Sequence, residues 1–76
     1  MNKERRKRIA DLMERIAALK EEIEAVRDEE QEAFDNLPEG FQMSDRGSEM
    51  EDKIYSIEDS MDSLDSAVES LEEAMN

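Results

Sequence analysis

Apolar residues recur every three or four positions in both halves of the chain, and this spacing limits the possible folds more than any other feature. In the first half the spacing alternates between 3 and 4 with one polar exception, Glu30, and the series is Ile9, Leu12, Ile16, Leu19, Ile23, Val26, Glu30, Ala33 and Leu37. The second half repeats the pattern with Met50, Ile54, Ile57, Met61, Leu64, Val68, Leu71 and Met75. Heptad repeats of this kind are typical of helices that pack along one seam. The sequence therefore predicts two long helices.

One break separates the two series. It contains the only proline, Pro38, and both glycines lie in or close to it. Proline cannot continue a helix and pushes the residue before it out of the helical region. Ser44 followed by Asp45 is typical of a helix N-terminus. We predict a first helix, a linker and a second helix, over about residues 3–37, 38–44 and 45–75.

The two series match each other in an antiparallel register. Residues that face each other in such a pair have a constant sum of residue numbers, and the sums here are 83 or 84 throughout, from Ile9 with Met75 to Ala33 with Met50. The same register places side by side three pairs of opposite charge, namely Lys20 with Asp65, Arg27 with Glu58 and Glu29 with Lys53. The predicted fold is all-α, a single antiparallel two-helix coiled-coil hairpin over residues 1–76.

Small residues flank both seams. They are Ala10, Ala17, Ala18 and Ala25 in the first half and Ser60, Ala67 and Ala74 in the second. Because a lone hairpin buries only one stripe per helix, we predict self-association into a four-helix or larger assembly.

Composition excludes several classes of function. The chain has 23 acidic and 10 basic residues, a formal net charge of −13, and neither cysteine nor histidine. A Cys/His zinc site and a Ser-His-Asp triad are therefore impossible, and no enzyme activity or cofactor is predicted. Direct nucleic-acid binding is not expected from so acidic a chain. The longest apolar run, residues 16–19, is far too short to span a membrane, and no membrane partner is predicted.

The linker region is longer than the roughly 2–5 residues that a helix–helix turn needs. It carries Phe41, Met43 and Arg46, and aromatic and arginine side chains are enriched in binding hot spots. These three residues, with Tyr55 nearby, are candidate partner-binding residues. In the alternative, Phe41 and Met43 fold back with Leu37 and close the end of the hairpin.

Two further features have two interpretations each. Glu30 occupies a core position, where it either fixes the register or is held for a ligand or partner. The basic start of the chain either is neutralised by the acidic end of the second helix or forms a docking patch for an acidic partner or a nucleotide; its residues are Arg5, Arg6, Lys7 and Arg8.

The segment around the break also carries a resemblance. The run from Arg27 to Glu39, followed by Gln42-x-Ser44-Asp45-Arg46-Gly47 and an acidic helix, resembles a group of small uncharacterised acidic helical proteins of bacteriophages and mobile elements of Gram-positive gut bacteria. The resemblance implies a phage-encoded protein that acts in the host cytoplasm and has no enzyme function.

We predict a modulator or inhibitor of a host protein, such as a component of antiviral defence, that binds a basic surface through its acidic face and the hairpin tip. A nucleic-acid site on a host protein is one basic surface that an acidic helical face could occupy. The alternatives are an oligomeric sponge for a small anionic signalling nucleotide and a purely structural assembly protein.

Overall fold

The computed structural model describes residues 1–76 and consists of three helices without strands. Helix α1 spans Lys3–Asp35, the short helix α2 spans Glu39–Gln42, and helix α3 spans Asp45–Met75. The molecule is elongated, with Cα extents of 58 × 15 × 11 Å. No helix has a stretch that is both long and apolar enough to cross a membrane.

Local sequence explains where the helices begin and end. Asn2 caps α1, because its side-chain oxygen Oδ1 accepts a hydrogen bond of 2.8 Å from the backbone N–H of Arg5. The helix ends two residues before the predicted boundary, since Asn36 and Leu37 already leave the regular pattern ahead of Pro38. Helix α3 begins at Asp45 as predicted, with Ser44 as its N-cap residue.

The antiparallel hairpin is confirmed by contacts between the two long helices. Lys20 Nζ lies 2.7 Å from Asp65 Oδ1, and Arg27 Nη1 lies 3.1 Å from Glu58 Oε2, so residue numbers fall along α3 as they rise along α1. These are two of the three predicted charge pairs. The third prediction was wrong, because Glu29 and Lys53 make no ion pair.

The seam of α3 is the predicted one. All eight of its heptad residues are withdrawn from solvent, seven of them half-buried and Ile54 buried with 4% exposure. Ile54 is the only apolar residue of the chain that is fully buried. Two helices of more than 30 residues therefore meet along a seam without enclosing a core.

The seam of α1 differs from the prediction in half of its positions. Leu12, Leu19, Val26 and Ala33 were expected to face the second helix, but all four are exposed. The predicted residues Ile9, Ile16, Ile23 and Glu30 are half-buried. In place of the exposed four, the other half-buried residues of α1 are Met13, Lys20, Arg27, Gln31 and Phe34. Helix α1 is rotated about its axis relative to the predicted orientation, because Lys20 and Arg27 reach across to carboxylates of α3. This rotation moves one side of a broad apolar stripe, the side with Leu12, Leu19 and Val26, out of contact with α3.

Candidate functional site

The hairpin tip is organised by one side chain, that of Gln42. Its Nε2 group donates toward the backbone carbonyl oxygens of Leu37, Phe34 and Asp35 at 3.0, 3.3 and 3.3 Å. The last carbonyls of a helix have no partner within it, so this amide closes the C-terminus of α1. Pro38 then turns the chain, and the backbone N–H groups of Phe41 and Gln42 bond back to its carbonyl oxygen.

Gly47 fixes the distance between α2 and α3. It is buried, and a Cβ atom added there would lie 2.6 Å from the carbonyl carbon of Gln42 and 2.7 Å from the carbonyl oxygen of Phe41. A side chain cannot fit at this distance. Gly40, by contrast, has nothing within 4 Å of its added Cβ.

The predicted tip residues lie on the outside of this framework. Phe41 is 56% exposed, Met43 is 89% exposed and Tyr55 is 59% exposed. Phe41 and Met43 therefore do not close the end of the hairpin, whereas Leu37 is half-buried there. The ordered backbone holds two large apolar side chains in solvent at the tip.

Arg46 is exposed and makes neither an ion pair nor a side-chain hydrogen bond. Neither Glu30 nor Glu49 forms an ion pair with Arg46, so no such contact ties Arg46 to the scaffold. Glu30 itself is half-buried on the α1 seam and is likewise without an ion pair. The tip thus presents a guanidinium group that no carboxylate of the chain neutralises.

One broad side of the hairpin carries an acidic groove of about 650 Å³ between α1 and α3. Its floor is apolar, with Met13, Ile16, Ala17 and Val68, and its walls carry Lys20 together with Glu21, Glu24, Asp65, Glu69 and Glu72. Five carboxylates thus surround a single ammonium group. No group of three or more carboxylates is arranged to hold a metal ion.

Lys20 and Arg27 mark this acidic side and are held by its carboxylates. Hydrogen bonds from Lys20 Nζ to both carboxylate oxygens of Asp65, at 2.7 and 2.9 Å, raise the pKa of Lys20 above its ordinary value of 10.5. The pKa of Arg27 is also raised, first by its hydrogen bond to Asp28 at 2.8 Å and then by the bond to Glu58. Both cations stay charged at physiological pH and partly offset the acids beside them.

The basic start of α1 lies at the opposite end from the tip. Its four basic residues are all exposed and make no ion pair; they are Arg5, Arg6, Lys7 and Arg8. The expected ion pairs with Glu69, Glu72 and Glu73 at the end of α3 are therefore not formed. A shallow groove of about 410 Å³ on this end is lined by Lys7, Arg8, Asp11, Leu12 and Arg15. The predicted basic patch is therefore a separate, accessible surface.

The structure does not bring the predicted site residues together at one place. Phe41, Met43 and Arg46 share the tip, while the basic patch is at the far end of the molecule. Sequence reasoning missed Gln42 and Gly47, which build the tip. Their signal in the sequence was a glycine three residues after a helix N-cap and an amide four residues after Pro38, and neither identifies its contact without the path of the backbone.

No family model matches the chain, and no curated protein or solved structure is detectably similar to it. The resemblance to phage proteins therefore stays a prediction.

Proposed function

We propose that this protein is a non-enzymatic interaction protein that binds a partner protein through the hairpin tip and the acidic groove. The exposure of Phe41 and Met43 is the observation that carries the proposal. Aromatic and arginine side chains are enriched in binding hot spots, and the tip exposes one of each, Phe41 and the unpaired Arg46, together with Met43.

The charge of the acidic groove defines the kind of partner. Five carboxylates around Lys20 favour lysine and arginine side chains of a partner, and a net charge of −13 speeds encounter with a basic surface. A basic nucleic-acid site on a host protein has this chemistry. In the phage context that the resemblance implies, occupation of such a site would inhibit a host defence protein in the host cytoplasm.

Affinity capture from host lysate with charge-matched variants tests this role of the groove. Glu24→Gln with Glu69→Gln removes two carboxylates from the groove, and Glu14→Gln with Asp59→Asn removes two from elsewhere on the helices. We expect the groove variant to lose most of the captured partner at low salt and the control to retain it. Equal capture by both variants would show that groove charge is not used.

The basic end supports a second candidate function, binding of a small anionic ligand such as a nucleotide. The observation that supports this function is a group of unpaired cations, Lys7, Arg8 and Arg15, that line the same groove. A thermal-shift screen of nucleotides tests it, because a ligand at 100 times its dissociation constant stabilises a fold by about 2.7 kcal/mol. A shift that Arg8→Gln removes would favour this function, and the absence of any shift would argue against it.

Self-association belongs to this proposal as well. A hairpin with a single fully buried apolar residue, Ile54, lacks the core that stabilises small domains, and a second pair of helices would supply it. A purely structural assembly protein would need this property alone. The exposed tip favours partner binding over that simpler role.

A further inference from the structure

The rotation of α1 leaves a row of apolar side chains without a partner. Leu12, Leu19 and Val26 are 42%, 53% and 53% exposed and stand seven residues apart along the helix. Residues seven apart lie on nearly the same side of a helix, so the three are aligned along α1 at intervals of about 10.5 Å. Each directly precedes a residue of the α1 seam, namely Met13, Lys20 and Arg27.

The small residues of α3 lie on the same broad side of the hairpin as this row. The residues that directly follow the α3 seam, Glu58 and Asp65, form the ion pairs on the acidic side. The residues that directly precede the seam therefore lie on the opposite side. Beyond Ile54 all of them are small, namely Ser56, Ser60, Ser63, Ala67, Ser70 and Ala74, and nearer the tip they are Glu49 and Lys53. In an antiparallel pair, residues that precede the seam on both helices share one side.

We call the apolar and small residues of this side the apolar face and define it by Leu12, Leu19, Val26, Ser60, Ala67 and Ala74. Two arginines and two glutamates of α1 precede its seam in the same way and border the face without adding net charge to it, namely Arg8, Arg15, Glu22 and Glu29. Ala17 lies on the other side, because it lines the acidic groove. The alanines of α1 that the sequence suggested as a contact strip are therefore not all on one face.

Charge is distributed so that the apolar face can meet a copy of itself. Seven acids follow Ile54 on α3, and by their helical position all of them lie on the acidic side or the outer edge of the helix. The apolar face carries serine and alanine on this helix instead. Two chains of −13 charge each can then approach on this face without setting the carboxylates of one α3 against those of the other.

The register places large residues opposite small ones. The ion pairs Lys20–Asp65 and Arg27–Glu58 both have residue numbers that sum to 85. Leu19 with Ala67, and Leu12 with Ala74, sum to 86, so each pair stands within about one residue of the same level along the hairpin. A twofold axis parallel to the helices would set α1 of one copy over α3 of the other at this level.

We infer that a second copy of this chain covers the apolar face and that Leu12, Leu19 and Val26 of each copy pack against the small residues of α3 in the other. The product is a four-helix bundle of two hairpins. The inference rests on the self-association proposed above and assigns its face and register.

The broad side on which the apolar face lies is large enough for a stable dimer. The two larger Cα extents of the whole hairpin, 58 Å and 15 Å, multiply to about 870 Å², and a standard specific interface buries about 800 Å² per partner. The apolar face, from Leu12 to Val26, takes about 21 Å in the middle of that length. The acidic groove lies on the opposite side and stays free on the bundle, so the dimer would present two copies of it.

Sedimentation equilibrium of matched variants tests the inference. Leu19→Glu adds a carboxylate to the apolar face, and Ala17→Glu adds one to the acidic side. The two variants have the same net charge, and glutamate favours the helix at both positions. At high micromolar concentration and moderate salt we expect the wild type to be a dimer, twice the chain mass of 8.8 kDa. We expect Leu19→Glu to weaken the dimer by about 30-fold or more and Ala17→Glu to leave it nearly unchanged.

A second variant covers the possibility that Leu19→Glu does not fold. Ala67→Glu changes α3 alone, keeps every apolar side chain of α1, and is expected to weaken the dimer as strongly as Leu19→Glu does. A wild type with the mass of one chain would contradict self-association itself. A wild-type dimer that Ala17→Glu breaks and Leu19→Glu or Ala67→Glu preserves would contradict the assigned face alone.

Discussion

Gln42 and Gly47 pack backbone against backbone, since a Cβ atom added to Gly47 would lie only 2.6 Å from the carbonyl carbon of Gln42. The short helix α2 at the tip therefore packs directly against the backbone of α3. This contact sets the position of Phe41, which precedes Gln42. The tip therefore depends on a residue that has no side chain.

Replacing Gly47 by alanine should destabilise the protein, because α2 must move away from α3. We expect a loss of about 1–3 kcal/mol in the free energy of unfolding, typical of overpacking. Gly40→Ala is the matched control, since its Cβ would meet nothing within 4 Å, and should be neutral or slightly stabilising. Urea denaturation followed by circular dichroism measures both. Equal stability of the two variants would show that the close approach is not needed.

The Gln42 side chain should contribute to stability through its donor group. Gln42→Glu keeps the shape, removes the N–H donors and sets a negative charge against the carbonyl end of α1. We expect a loss of about 1 kcal/mol, within the range for a hydrogen bond at a partly buried site. Ser66→Glu, which adds one negative charge at an exposed residue of α3 that makes no side-chain hydrogen bond, is the control in the same denaturation experiment. An equal loss in both variants would assign the effect to added charge and not to the cap.

How far the fold could be predicted differs between the two long helices. The α3 seam was predicted completely, because its eight heptad residues are apolar and its basic residues lie outside the seam. The α1 seam was half wrong, because Lys20 and Arg27 reach carboxylates across the hairpin and take seam positions from Leu19 and Val26. A heptad pattern shows which residues are apolar, but it does not show which part of a broad apolar stripe faces the neighbouring helix.

The candidate site was less predictable than the fold. Composition identified Phe41, Met43 and Arg46 as unusual residues of the linker, but their exposure depends on how Gln42 and Gly47 fold it. The side-chain amide of Gln42 meets backbone carbonyls of residues 34–37, and Gly47 meets the backbone of Phe41 and Gln42. Both contacts form only after Pro38 turns the chain. Local propensity does not contain that information.

The ion pair between Lys20 and Asp65 should add a pH-dependent contribution to stability. The pKa of Lys20 is raised in the folded protein, so the contribution is present below the ordinary value of 10.5 and is lost as the pH rises through the folded-state pKa. We expect Asp65→Asn to melt below Asp59→Asn near neutral pH, because both lose one acid but only Asp65 has a cationic partner.

The difference in melting temperature between these two variants should disappear at pH values well above 10.5. Thermal melts monitored by circular dichroism across this range give the result. A difference that stays constant with pH would show that Asp65 acts by some means other than its pair with Lys20.

The net charge predicts how the whole fold responds to salt. With 23 acids and a net charge of −13, repulsion within the chain opposes the compact state at low ionic strength. Salt screens this repulsion, and each kcal/mol relieved should raise the melting temperature by about 4–8 °C. Lowering the pH toward the isoelectric point of 4.2 should act in the same direction. Melts at constant protein concentration check this, and a melting temperature that falls as salt is added would show that ion pairs outweigh repulsion.

The proposed function depends most directly on the tip, and its test separates binding from folding. The variant with both Phe41→Ala and Arg46→Ala removes two exposed side chains that make no ion pair, so we expect its free energy of unfolding to stay within about 0.5 kcal/mol of the wild type. Arg15→Ala, an exposed arginine far from the tip, is the control for loss of positive charge.

The decisive measurement is the affinity of these variants for the partner that wild-type protein captures from host lysate. We expect the tip variant to bind that partner at least about 30-fold more weakly than the wild type, as for a hot spot, while Arg15→Ala binds normally. Unchanged binding of the partner by the tip variant, with its melting temperature also unchanged, would show that the tip is not the binding surface.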